Sequence, residues 1–115
     1  WVSGFSFGAW IGMQLLMRRP EITGFISVSP PANMYDFSFL APCPSSGLMI
    51  NGTEDRIAPP SDTENLVEKL HEQRGITITH TQLTGAGHFF EEPHMDVMID
   101  HVSTYVKKRL TENTR

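Results

Sequence analysis

Gly4-Phe5-Ser6-Phe7-Gly8 comes almost at the start of the chain and decides how the rest is read. The stretch fits Gly-x-Ser-x-Gly, the nucleophile elbow, in which a strand turns sharply into a helix and holds a serine exposed at the turn. Small residues on both sides let the backbone fold tightly around that turn. A five-residue pattern with three fixed positions recurs by chance, so its flanks carry the weight. Trp1-Val2 reads as the end of a strand. Phe7 to Arg19 reads as a helix, with Phe7, Ala9, Trp10, Ile11, Met13, Leu15, Leu16 and Met17 spread over more than one face. That spread predicts a largely buried helix. Gly8 and Gly12, four apart, share a face and are expected to let the helix lie close to a sheet. Arg18 and Arg19 suit its C-terminal end, and Pro20 stops it.

Further along, Gly24 to Ser29 is a short apolar run bounded by turn residues, the pattern of a buried strand. From Pro31 to Ser46 no period stands out, and a loop with a helical turn is expected. Gly47 to Asn51 is the next strand, followed by a loop at Gly52-Thr53-Glu54-Asp55. Leu66, Val67 and Leu70 recur at helical spacing between about Ser61 and Gln73. Ile76 to Leu83 is rich in Thr and Ile and reads as a strand. Gly85-Ala86-Gly87-His88 is a tight loop. Pro93 opens a last helix that runs to about Leu110, with Glu91 and Glu92 at its start and Lys107, Lys108 and Arg109 at its end. Its apolar face is Val97, Met98, Val102, Tyr105 and Val106. Strands that alternate with helices predict an α/β fold with a parallel sheet.

A chain of 115 residues is enough for one small domain with a modest core. Seven Phe and six Met within a 39% hydrophobic share fit a folded chain rather than a disordered one. Acids outnumber bases by 13 to 9, a net charge of −4, and no basic run occurs, which argues against a nucleic-acid partner. The lone Cys43 excludes an internal disulfide, offers no metal-binding cysteine pair, and suits a reducing compartment. No stretch is long and apolar enough to span a membrane. The chain begins with Trp, almost on the serine, so a partial domain is expected.

Nucleophilic catalysis by serine needs a nucleophile, a base that takes its proton, and an acid that orients the base. Ser6 is the candidate nucleophile. Asp55 lies just beyond one strand end, with Glu54 beside it as a rival. His88 lies in a glycine-flanked loop beyond the next. In a parallel sheet all strand C-termini share one edge, so these residues are expected to converge there.

The elbow, the acid loop Asn51-Gly52-Thr53-Glu54-Asp55 followed by Pro59, and the loop Gly85-Ala86-Gly87-His88-Phe89 together resemble the C-terminal half of an α/β-hydrolase. The order Ser, Asp, His is the order of that family. The stretch from Gly4 to Trp10 is most similar to small, lid-less bacterial hydrolases related to the dienelactone-hydrolase group. The resemblance covers essentially the whole chain. It implies the end of the family's fifth strand and all of the sixth, seventh and eighth, with the N-terminal half of the domain outside residues 1 to 115. It also implies a serine hydrolase of carboxylic esters, or of thioesters or amides, with no metal or organic cofactor and a small ester-like substrate. Ser6 would attack the carboxyl carbon, His88 would accept and return the proton, and Asp55 would hold the imidazole. The backbone N–H of Phe7 would be one oxyanion-hole donor, the second coming from a loop after the family's third strand. Dienelactone hydrolases carry cysteine where this chain has Ser6, which points to ordinary ester hydrolysis. The resemblance and the single cysteine imply a cytoplasmic protein. Without its family neighbours the chain is expected to be marginally stable, prone to associate and close to inactive.

Two rival functions share these features. A serine peptidase of the prolyl-oligopeptidase type has the same order of residues. A non-catalytic binding protein could also use the fold, although it would have no need of all three residues. Tyr35, Phe37 and Phe39 either line an acyl pocket or pack in the core. His71, His80, His94 and His101 are expected to be bystanders. His94 and His101, seven apart, share a helix face, but no third metal ligand accompanies them.

Overall fold

A computed structural model describes residues 1–40 and 42–113. Its elements in chain order are β1 (Val2–Phe5), α1 (Phe7–Arg18), β2 (Phe25–Val28), a 3₁₀ turn (Ser38–Leu40), β3 (Gly47–Gly52), α2 (Pro60–His71), β4 (Ile78–Leu83) and α3 (His94–Asn113). The four strands form one parallel sheet in the order β1-β2-β3-β4. Every strand therefore delivers its C-terminal end to the same edge. Ala41, inside the expected loop from Pro31 to Ser46, lies outside the described residues.

Successive strand residues point to opposite faces, and two cores result. Met13 and Leu16 of α1 pack with Leu66, Val67 and Leu70 of α2 over Phe25, Met49 and Ile78. On the other face Ile50 and Leu83 meet Ala86, Phe90 and, from α3, Met98. All six residues of β3 are buried, as its apolar run requires of a strand covered on both faces. The pairing of Phe25 with Gly47 shows how register is set. A Cβ on Gly47 would sit 2.3 Å from the Phe25 ring, so the aromatic fills the space that glycine leaves.

Two expectations about the first helix are corrected. It is buried on one face only, through Ala9, Gly12, Met13 and Leu16. Phe7, Ile11 and Leu15, spaced by four, are 50%, 48% and 42% exposed. The sheet covers the side of α1 that carries Ala9, Gly12, Met13 and Leu16, and the Phe7–Ile11–Leu15 stripe is left largely open to solvent. Nor does Gly8 provide close approach to the sheet, since a Cβ there would have nothing within 4 Å. Gly12 does, its added Cβ lying 3.3 Å from Val2 Cγ2. A tighter constraint falls on Gly4, where a Cβ would meet the Gly8 carbonyl oxygen at 2.2 Å.

Candidate active site

The sharp turn after β1 is a strained one. Ser6 has φ 55° and ψ −120°, outside the helix and strand regions. A non-glycine residue held there costs on the order of 1–3 kcal/mol. Three contacts hold it. Ser6 N–H donates to the Val28 carbonyl at 2.8 Å, the Ser6 carbonyl accepts from Ala9 N–H at 2.9 Å, and Gly4 lies under Gly8. The result projects the Ser6 hydroxyl beyond the sheet edge.

The acid loop leaves β3 at Gly52, and the histidine loop leaves β4 at Leu83. The two interlock. Thr53 N–H donates to Leu83 O at 3.1 Å, Glu54 N–H to Ala86 O at 2.9 Å, and Gly85 N–H to Thr53 Oγ1 at 2.9 Å. Gly52 is required by this closeness, because a Cβ would fall 2.1 Å from the Ala86 carbonyl oxygen.

This interlock brings Ser6, His88 and Asp55 together. His88 Nδ1 lies 2.8 Å from Asp55 Oδ2, and His88 Nε2 lies 2.9 Å from Ser6 Oγ. The other oxygen of Asp55 accepts N–H bonds from Ile57 at 2.9 Å and Ala58 at 2.8 Å. A carboxylate only accepts, so Nδ1 carries the imidazole proton and donates it to Asp55. Nε2 is then an acceptor facing the Ser6 O–H. Both side chains of the His88–Asp55 pair are buried, 4% and 0% exposed. Glu54, the rival acid, is exposed and takes part through its backbone. As the first residue of α1, Phe7 has no carbonyl one turn back for its N–H to bond.

Aromatic rings flank the serine on two sides. Phe5 and Phe89 lie 5.3 and 5.0 Å from the His88 ring, centroid to centroid. Phe7, Trp10 and Tyr35 form a second cluster, with Phe7 and Tyr35 5.3 Å apart. Of the three loop aromatics, Tyr35 alone makes a ring contact with an elbow residue. Phe37 is buried in the larger core, and Phe39 stacks on it and packs against that core. A cavity of about 650 Å³ lies between this loop and α2, lined by Tyr35, Phe37, Leu40, Leu66 and Lys69 among others, and includes none of Ser6, Asp55 or His88.

The remaining histidines sit elsewhere. His71 Nε2 lies 2.8 Å from the Ile78 carbonyl, and His80 Nε2 lies 2.6 Å from Asn51 Oδ1. Burial holds the His80 pKa below its usual value, with Glu64 opposing and His71 reinforcing. Burial raises the Cys43 thiol. Among the described residues no group of three or more His, Cys, Asp or Glu is placed to hold a metal ion. No helix among them is long and apolar enough to cross a membrane. One residue at this edge was not singled out in the sequence. Ser29, just past β2, donates its hydroxyl to the His88 carbonyl at 2.9 Å.

A parallel α/β sheet with a strained serine elbow and a buried His–Asp pair beyond the following strands is the arrangement of the α/β-hydrolase architecture. No family model matches the chain. The chain is 60% identical to a protein of unknown function from Agrobacterium tumefaciens, provisionally named an α/β hydrolase. The TM-score is 0.95, and the match covers 97% of this chain and 51% of that one. A Xanthomonas campestris serine hydrolase without a lid is 32% identical, with TM-score 0.71 and coverage of 84% and 42%. A Rickettsia prowazekii protein named only as uncharacterized is 52% identical over 93 residues, 77% of this chain and 39% of that one. The chain has the α/β-hydrolase fold, and its structural neighbours are α/β hydrolases that include lid-less serine hydrolases. These likenesses do not single out the dienelactone-hydrolase group. The chain spans about half the length, or less, of the relatives it matches.

Proposed function

We propose that this chain carries the catalytic residues of a serine hydrolase acting on carboxylic esters, or on related thioesters or amides. The observation that carries the reading is the relay from buried Asp55 through buried His88 to half-buried Ser6, with the links at 2.8 and 2.9 Å. Ser6 Oγ attacks the ester carbonyl carbon as its proton moves to His88 Nε2. The imidazolium so formed is stabilised by Asp55, whose second oxygen is already anchored by two backbone donors. The tetrahedral oxyanion accepts a hydrogen bond from the Phe7 N–H at the start of α1. As the intermediate collapses, the carbon–oxygen bond to the alcohol breaks and the alcohol leaves with the proton from His88. Water, deprotonated by His88, then attacks the acyl-Ser6 ester, releasing the carboxylic acid and restoring the serine.

The leaving group must lie beside His88 Nε2, and that position is bordered by Phe5 and Phe89. Tyr35, beside Phe7, borders the other side of the elbow. These walls favour an apolar or aromatic ester. Phe37 and Phe39 support the loop beneath Tyr35. No step calls on a metal or organic cofactor, and neither nucleic acid nor membrane enters as a partner. Family likeness and the lone buried Cys43 favour a cytoplasmic protein. We read residues 1 to 115 as part of a larger hydrolase domain. The second oxyanion donor would come from the half of the neighbours' fold that this chain does not match. On this reading the 115-residue chain alone is close to inactive, since one missing donor costs on the order of a hundredfold or more.

The test is covalent labelling by a fluorophosphonate. The subject is a polypeptide of the neighbours' full length that carries this chain, with Ser6→Ala and the 115-residue chain alongside. Labelling that disappears in Ser6→Ala is the expected result. A folded extended polypeptide that takes no label would sink the hydrolase reading and favour a binding protein on the same fold.

A further inference from the structure

We infer that Ser29 is a positioning residue for the reaction proposed above. Its hydroxyl fixes the main chain of His88, so that the imidazole stays between Asp55 and Ser6. Ser29 is fully buried. Its N–H donates to the Ile50 carbonyl at 2.8 Å, which ties its backbone to β3. Its hydroxyl proton goes to the His88 carbonyl, 59 residues away in sequence.

The histidine loop is held from two directions. The acid loop grips it at Gly85 and Ala86, before His88. The Ser29 hydroxyl grips it from β2, at His88 itself. Without that second hold, the main chain of His88 could turn about the Ala86 anchor. A small rotation there displaces both imidazole nitrogens from partners at hydrogen-bond distance. Misplacing a reacting group by about 1 Å can cost on the order of a hundredfold in rate.

Backbone strain supports the same reading. Among the described residues the non-glycines with positive φ are Ser6 at 55°, Ser29 at 50° and Phe90 at 50°. Ser6 is the proposed nucleophile, Phe90 is two residues past His88, and Ser29 bonds to His88. Strain of this kind persists where the surroundings over-determine the backbone, and it gathers at functional sites. Glycine at position 29 would meet the backbone need more easily. Serine adds the hydroxyl that reaches His88.

The experiment compares Ser29→Ala, Ser29→Gly and Ser29→Cys in the extended polypeptide. Fluorophosphonate labelling rates are measured together with ¹⁵N NMR of the His88 ring. Ala and Gly are expected to label about tenfold or more slowly, with Cys recovering part of the rate through its weak donor. The His88 Nδ1–H resonance is expected to shift in Ala and Gly. Gly relieves the φ strain, so a merely structural role predicts that it labels like the wild type. Wild-type labelling rates and an unmoved His88 resonance in Ala and Gly would overturn the inference, whatever happens to the melting temperature. If Ala fails to fold, Gly and Cys decide alone. An unlabelled wild type sinks the hydrolase proposal instead, and the NMR comparison still decides whether Ser29 positions His88.

Discussion

Replacing Asp55 by Asn should silence Ser6 while leaving the fold intact. Asp55 Oδ1 accepts from two backbone N–H groups, Ile57 and Ala58, and Oδ2 faces His88 Nδ1. An amide has one oxygen for these two tasks. Turning its oxygen to His88 would set its NH₂ against two N–H donors, of which Ala58's is buried and Ile57's part-buried. That strands the buried donor at about 1–3 kcal/mol and adds a smaller loss at Ile57. The favoured orientation therefore keeps the oxygen on Ile57 and Ala58 and points the NH₂ at His88. Nδ1 must then accept, so the ring proton moves to Nε2, where it faces Ser6 Oγ and cannot serve as a base. The expected loss in labelling rate is about ten-thousandfold, roughly 5 kcal/mol of barrier. The assay is the rate of fluorophosphonate labelling, paired with ¹⁵N NMR of the ring to identify the tautomer. Asp55→Asn that labels within about tenfold of the wild type, in a folded protein, would refute both the tautomer argument and the role of Asp55.

Gly52→Ala should destabilise the protein by on the order of 3 kcal/mol, because the new Cβ meets the Ala86 carbonyl rather than a movable side chain. An unchanged urea midpoint would show that the two loops part at little cost. His80 has its pKa lowered by burial from 6.5. The unfolded chain thus binds its proton first, and the stability His80 contributes is present above about pH 6.5 and lost as pH falls below it. The urea midpoint should therefore drop from about pH 7.5 to about pH 5.5 more in the wild type than in His80→Gln. Equal drops would remove His80 from the account. Ile11→Lys with Leu15→Lys should reduce self-association of the 115-residue chain in sedimentation, because it breaks up the exposed Phe7–Ile11–Leu15 stripe. An unchanged distribution would place the sticky surface elsewhere.

The element order was legible because its signals are local. Thr- and Ile-rich runs, glycine-bounded loops and a proline after a basic pair each act within a few residues. Boundaries shifted by a few positions, β4 beginning at Ile78 and α3 running on to Asn113. The exposure of Ile11 and Leu15 was not legible. An apolar residue on a helix records that something covers it, without saying whether that partner lies within the same 115 residues. Phe37 and Tyr35 show the same limit, since both are aromatic and close in sequence. Only the loop's path sends one into the core and the other against Phe7. Asp55 and Glu54 were distinguishable by spacing to Gly52 and Pro59. The structure supplies the physical reason, for only Asp55 turns inward while Glu54 uses its N–H to hold Ala86.

Ser29 carried a signal that parallel geometry could have revealed. Phe5 pairs with Val28 in the sheet, so the residues that follow them, Ser6 and Ser29, leave the same edge side by side. Asp55 follows β3 and His88 follows β4 at that same edge. Each of the four strands is therefore followed by one polar residue of this cluster: Ser6 and Asp55 bond to the His88 imidazole, and Ser29 bonds to the His88 main-chain carbonyl. Ser29, directly after Phe25–Val28, stands where its hydroxyl reaches the His88 carbonyl. No glycine-framed motif marks Ser29, which lies between Val28 and Pro30. The rule that follows is geometric. In this parallel sheet a polar residue that directly follows a strand, as Ser6 follows Phe5 and Ser29 follows Val28, is a candidate for the site whether or not a motif surrounds it.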